Sequence, residues 1–209
     1  MNVGKKIRHF HRYREIVSAF VRYGFGYVVK DLGLADLVPY KALWTGERRD
    51  LDKQTIAIRV RMFLEELGPT FVKLGQLAST RSDLFPPEFV AELRRLQDDV
   101  PPFPFEDVRR IVEEQLGAPL EASFAEFEET PLAAASIGQV HYATLRSGAR
   151  VAVKVQRPNI RATVETDLEI LSELSRLAEK RLEWARRYRL KEMAEELGSA
   201  LLGELDYDR

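Results

Sequence analysis

The sequence predicts an α+β fold: a mostly helical amino-terminal part, then a small antiparallel sheet, then long helices. Three observations carry that expectation. Apolar residues recur at helical spacing over residues 54–81, with Ile56, Val60, Phe63, Leu64 and Leu67 forming one stripe. Residues 140–156 read as two strands around the turn residues Ser147 and Gly148. Helical spacing returns after Pro158, with Val164, Leu168, Leu171, Leu174 and Leu182 and then Met193, Leu197, Leu201 and Leu205.

Composition bounds what such a chain does. With 209 residues, 45% hydrophobic and 31% charged, it closes a packed core. A net charge of −1 gives no reason to expect a nucleic-acid partner. The absence of cysteine excludes disulfides, thiolate metal sites and cysteine nucleophiles, and suits a reducing compartment. His9 and His11 stand two apart, the wrong spacing for one helix face, so no metal site is expected. The apolar run of residues 16–29 is shorter than a bilayer span and contains Arg22, so no transmembrane helix or signal peptide is expected.

Residues 1–53 form a basic amphipathic segment and a linker. In the first 30 residues seven basic side chains (Lys5, Lys6, Arg8, Arg12, Arg14, Arg22, Lys30) oppose only Glu15, a net +6. Phe10, Tyr13, Val17, Phe20, Val21 and Tyr27 interleave with them. Two readings stay open: a helix lying in an anionic membrane interface, or one docked on its own domain. Gly24 and Gly26 interrupt both. Gly33, Pro39, Gly46 and the charge cluster Glu47-Arg48-Arg49-Asp50 read as a linker.

Residues 54–122 form a helical extension. Gly68 and Pro69 divide it, and Pro69 opens a helix carrying Lys73-Leu74-Gly75-Gln76. Lys73 and Gln76 share a face. Gly75 costs about 1 kcal/mol against alanine in a helix interior, so something packs close to it. Phe89, Leu93 and Leu96 mark the core face of a further helix, and Pro101-Pro102-Phe103-Pro104 is a rigid linker. A helix over residues 105–116 stops at Gly117 and Pro119. Residues 123–129, with Phe124 and Phe127, begin the sheet.

Residues 123–209 hold the chemistry. Val151, Val153 and Val155 alternate with Ala152, Lys154 and Gln156, so one lysine stands on the face opposite three valines. It is an ordinary surface lysine if that face is wet and a site if the face roofs a cleft. Ahead of it runs Ala133-Ala134-Ala135-Ser136-Ile137-Gly138-Gln139-Val140, the layout G-x-G-x-x-G-x-V with alanine in the first two glycine places. In such a loop backbone N–H groups and a lysine ammonium converge on phosphate oxygens. The plainer alternative is a small-residue strand packed under a helix.

The alanine loop together with Val151-Ala152-Val153-Lys154-Val155-Gln156-Arg157-Pro158 resembles the UbiB/AarF/ADCK family of atypical protein-kinase-like proteins, from about Arg59 to the last residue. The resemblance implies a partial kinase-like N-lobe for residues 123–209. It implies ATP or ADP with Mg2+ bound weakly by Ala133–Val140, Ala152 and Lys154, with Val140 and Ala152 against the adenine. Lys73-Leu74-Gly75-Gln76 matches the family's K-x-G-Q signature and Glu204-Leu205-Asp206 its E-x-D motif. These segments are implied to form a regulatory cover over the nucleotide cleft, with the carboxylates facing Lys73. Glu165-Thr166-Asp167 stands where the family shows Q-T-D, glutamate replacing glutamine. The family's lysine-pairing glutamate, catalytic aspartate and metal-binding aspartate find no match here, and no H-x-D or D-F-G occurs. The expectation is an amino-terminal portion lacking the C-lobe, whether from a truncated gene, one piece of a split gene or a stand-alone lobe; it is not catalytic alone, and an enzyme would need a second chain to supply that lobe. By resemblance the function is nucleotide binding in an atypical kinase or ATPase tied to ubiquinone (isoprenoid quinone) biosynthesis, in the cytoplasm and peripheral at the membrane. The alternative is a non-catalytic helical module that binds membrane or a partner chain.

Overall fold

Helix α1 (Val3–Arg22) turns at Gly24, whose φ of 82° favours glycine, into the short helix α2 (Gly26–Asp31). These come from the computed structural model, which describes residues 3–38, 54–97 and 100–207. The linker expected over residues 39–53, with its charge cluster at 47–50, lies outside the described residues. Of the two readings of the basic segment, residues 16–29 take the docked one. Ile16, Val17, Ala19, Tyr23, Phe25, Val28 and Val29 are buried in one cluster with Phe63, Leu67, Phe71, Ile170, Leu174 and Ala178.

Helix α3 (Ile56–Leu67) starts where Thr55 Oγ1 accepts the Ile58 N–H at 3.4 Å. Ile56 shares the phase of Phe63 but stands in the first turn and is exposed. Gly68, at φ 88°, breaks the helix, and Pro69 opens α4 (Pro69–Ser79). That helix ends two residues before the predicted 81, where the Ser79 and Thr80 hydroxyls donate to the carbonyls of Gln76 and Leu77. In α5 (Pro87–Leu93) the buried residues are Val90 and Leu93, continued by Leu96, while Phe89 is half-buried. Leu93 and Leu96 thus hold the predicted core face, and Val90 takes the place predicted for Phe89.

Helix α6 (Phe105–Leu116) ends on Gly117 at φ 65°, and a single turn α7 (Leu120–Ser123) leads into the sheet. Strand β3 (Gly138–Leu145) is central. Along one edge it pairs with β4 (Arg150–Gln156), and along the other with β1 (Phe124–Phe127) and then β2 (Ala133–Ala134), all antiparallel. One face of the sheet carries Ala143 and Val155 into a core with Phe103, Val108, Val112, Leu120 and Phe124.

Helix α8 (Ile160–Arg181) stops short of Leu182, the last residue of the predicted stripe, which leaves helical geometry at φ −119° and ψ 120°. A short α9 (Glu183–Arg187) follows, then α10 (Leu190–Glu204). The buried side of α8 is Val164, Asp167, Ile170, Leu174 and Ala178. Leu168 and Leu171 flank that side, half-buried. In α10, Ala194, Gly198 and Leu201 are buried, and a Cβ on Gly198 would stand 3.2 Å from Leu168 Cδ2.

Sequence divisions at 53/54 and 122/123 run along the chain, whereas the compact units cut across it. One joins Met1–Leu96 to Ala162–Arg209 and the other is Gln97–Arg161. The first unit is discontinuous because α1 and α2 bury their apolar faces with those of α3, α4 and α8.

Candidate functional site

In the unit of residues 97–161 the sheet is asymmetric. Residues paired across antiparallel strands project to the same face. The pairing joins Ala133 to Val140 and Val140 to Lys154, so the three form one row across the sheet. The next row on that face pairs Tyr142 with Ala152. Ala133, Ala152 and Lys154 are exposed there, while Val140 and Tyr142 are half-buried. The opposite face is packed: Gln139, His141, Ala143 and Val155 are buried among the aromatic and aliphatic side chains of α6 and β1. Burial of the valines therefore drives Lys154 outward.

The predicted loop is a tight hairpin. Ala133 and Ala134 pair with Val140 and Gln139, and the Ala135 N–H donates to the Gly138 carbonyl at 2.8 Å. Ser136 and Ile137 are buried at its tip, and Ser136 Oγ has no hydrogen-bond partner. The Gln139 side chain points away from the open face. Its Oε1 accepts the Phe103 N–H at 2.9 Å, and its Nε2 donates to the Phe103 carbonyl at 3.2 Å and to His141 Nε2 at 3.0 Å. An accepting Nε2 makes His141 the Nδ1–H tautomer, which donates to the Glu128 carbonyl at 2.8 Å. Arg157, just after β4, donates through Nη2 to the carbonyls of Pro101 (3.0 Å) and Ala135 (3.2 Å), and stands 5.3 Å over the Phe103 ring. Burial lowers the pKa of its guanidinium.

Chemically, the open face offers a cation at Lys154 and small apolar surface at Val140 and Ala152, while the unpartnered Ser136 hydroxyl stays buried in the hairpin tip. That set fits a nucleotide's phosphates and base. Among the described residues no three His, Asp or Glu side chains converge to hold a metal ion. Sequence reasoning passed over Tyr142 and Arg150. Arg150 stacks 4.2 Å over the Tyr142 ring and pairs with Glu128 at 3.2 Å, so they extend the same face. Period-two alternation from Val140 and Lys154 could have found both. A groove of about 420 Å³ on α6, lined by Phe105, Arg109, Arg110 and Glu129, contains none of the lysine-face residues; its arginines are held in surface ion pairs.

The K-x-G-Q helix belongs to the other unit. Lys73 Nζ stands 3.0 Å from Glu204 Oε2 at the end of α10. Gln76 turns elsewhere, donating from Nε2 to the Leu96 carbonyl at 3.2 Å. A Cβ on Gly75 would collide with Leu96 and would approach Leu64 Cδ1 to 2.8 Å, so only glycine lets these leucines close over α4. Beside Glu204, Tyr207 has its pKa raised, first by burial and then by that carboxylate.

A family model, the ABC1 atypical kinase-like domain, matches residues 95–209, which include the hairpin, Lys154 and Glu204. The chain belongs to the ABC1 atypical kinase-like family, that of the UbiB, AarF and ADCK proteins. It is 41% identical over 201 residues to a probable protein kinase UbiB from Vibrio cholerae, covering 95% of this chain and 37% of that protein. A probable protein kinase UbiB from Pseudomonas paraeruginosa gives 41% over 209 residues, 96% of this chain and 38% of that one. An uncharacterized Synechocystis protein is 44% identical over 170 residues, 81% of this chain and 29% of that one. Among solved structures, that titled the Rv3197–erythromycin complex from Mycobacterium tuberculosis is 31% identical over 58% of this chain and 32% of its own, with a TM-score of 0.41. The chain thus spans 37–38% of the length of these UbiB relatives.

Proposed function

We propose that the open sheet face of residues 97–161 binds ATP or ADP, as the N-lobe portion of a UbiB-like atypical kinase or ATPase serving ubiquinone biosynthesis. The observation that carries this reading is the row Ala133–Val140–Lys154, which sets the alanine hairpin, an apolar contact and a cation on one exposed face. Lys154 contacts the α/β-phosphates, and Val140 and Ala152 take the base. Bound Mg2+ supplies charge neutralisation during phosphoryl transfer. Its ligands and the catalytic base are assigned to a second lobe, in the same polypeptide or another. Lys73 and Glu204, which match the family's K-x-G-Q and E-x-D segments, pair within the other unit. A charge-assisted contact contributes about 1.5–3 kcal/mol, so Lys154→Ala weakens ADP binding by about ten- to a hundredfold. Equal affinity of the two forms in calorimetry removes the role given to Lys154.

A second reading concerns the start of α1. Ile7 and Phe10 are 54% and 51% exposed among exposed Lys6 and Arg8. That pattern fits a peripheral contact with an anionic lipid surface. Vesicle co-sedimentation that falls with salt, and falls again in Lys6→Glu/Phe10→Ser, is the expected outcome. Sedimentation unchanged in that variant discards the reading.

A further inference from the structure

The two ends of the unit Gln97–Arg161 meet at the alanine hairpin. The incoming end is the proline-rich segment 100–104; the outgoing end is the stretch after β4. Gln139, the second residue beyond the hairpin tip, holds the incoming end by both polar groups of the Phe103 backbone, at 2.9 and 3.2 Å. This copies the paired bonds of an antiparallel ladder with a side chain. Arg157 holds the outgoing end. Its own N–H donates to the Ile137 carbonyl at 2.9 Å. Its Nη2 spans the Pro101 carbonyl, at 3.0 Å, and the Ala135 carbonyl, at 3.2 Å. One guanidinium nitrogen therefore joins the incoming segment to the hairpin, and one main-chain bond joins the hairpin tip to the outgoing segment. Gln139 is 1% exposed, so its amide is committed to these bonds and cannot serve a ligand on the open face.

We infer that Gln139 and Arg157 are positioning residues: they strap residues 101–103 to the alanine hairpin and so fix the backbone that faces a nucleotide's phosphates. Proline suits such a strap. Pro101, Pro102 and Pro104 restrict the segment's backbone, so it meets the hairpin as a stiff support. Alanine at 133 and 135 removes the freedom that glycine has, and the strap fixes what remains. This inference rests on the nucleotide reading for its effect on affinity, but the mechanical part stands apart from it.

The test uses the whole 209-residue chain. In Arg157→Met, which keeps most of the side chain's bulk but removes its donors, and in Gln139→Ala, amide exchange is followed without nucleotide. Affinities for ADP and for adenosine are then measured by calorimetry. Exchange of the Ala135 amide is expected to rise at least about tenfold, with the β3–β4 ladder changed less than about twofold. ADP affinity is expected to fall about tenfold while adenosine, which lacks phosphates, changes less than about twofold. A loss of general stability would raise exchange throughout the sheet and weaken both ligands alike, and so overturns the positioning role. Unchanged exchange of the hairpin in both variants overturns the strap. Faster exchange with ADP affinity intact overturns the link to phosphate. A wild-type chain that binds no ADP overturns the nucleotide reading and that link together, while the exchange data still decide the strap.

Discussion

Asp167 carries a carboxylate into the core of the larger unit, where its side chain is 1% exposed. Arg12 meets it in a fork, with Nε 2.7 Å from Oδ1 and Nη2 3.1 Å from Oδ2. Burial is the largest single effect on Arg12 and pulls its pKa down, but the bonds and charges of Asp167 and then Glu15 outweigh it, and the net direction is upward. Arg12 also donates to the Leu67 carbonyl at 2.6 Å and lies 5.6 Å over Phe71, so one guanidinium fastens α1 to α3, α4 and α8. Breaking such a pair from one side strands the other charge, at a cost of about 3–5 kcal/mol. Arg12→Met is therefore expected to lose about 3 kcal/mol in urea unfolding, and Arg12→Met/Asp167→Leu less than that single change. Gly75 gives a second prediction at this scale. Gly75→Ala gains about 1 kcal/mol in helix propensity, yet forces Leu64 and Leu96 apart, so the net change is a loss of about 1–2 kcal/mol and a lower Tm.

Among the elements, α3 and α5 are joined by Glu92, which accepts from Arg61 Nε at 3.0 Å and from Arg95 Nη1 at 2.9 Å. Desolvation, the largest single effect, pushes the Glu92 pKa up; the two arginines overcome it and hold it below the usual carboxyl range. A depressed folded pKa stabilises the fold above the unfolded value of about 4.3 and loses that contribution as pH falls through the folded one. Glu92→Gln is thus expected to flatten the acid limb of a stability–pH curve below about pH 4.5, with little change in its slope at pH 7. Helix α1 gives the sterner case. Ile16, Val17 and Ala19 are at most 1% exposed, so removing residues 1–30 takes out part of the core. Point substitutions at Lys6 and Phe10 are therefore the proper test of lipid contact.

For the whole molecule, two cores imply two separable responses. Leu201 and Val108 are each 0% exposed, one in each unit. Leu201→Ala is expected to cost about 2–5 kcal/mol and to raise amide exchange within residues 1–96 and 162–209. Val108→Ala is expected to raise it within residues 97–161. Exchange rising equally in both units for either change would mean that the two cores unfold as one.

Much of the local architecture was legible in the sequence because it is written in short-range physics. Alternation along residues 150–156 gave the strand and put Lys154 opposite its valines; Gly68-Pro69 and Gly117 marked helix ends, since few residues adopt their backbone conformations. The spacing of Lys73 and Gln76 on one helix was equally plain, but only the fold sends Lys73 to Glu204 and Gln76 to the Leu96 carbonyl. Long-range pairings left no such signature. Arg12 and Asp167 are 155 positions apart. Gln139, read as part of the loop's ligand surface, spends its amide on Phe103, 36 residues away. The break of α8 at Leu182 was likewise invisible, whereas docking of the basic segment was one of its two readings, and the burial of residues 16–29 selects it. Periodicity fixes which face of an element is apolar, while the choice of which faces meet, and which polar groups they trap between them, belongs to the tertiary structure.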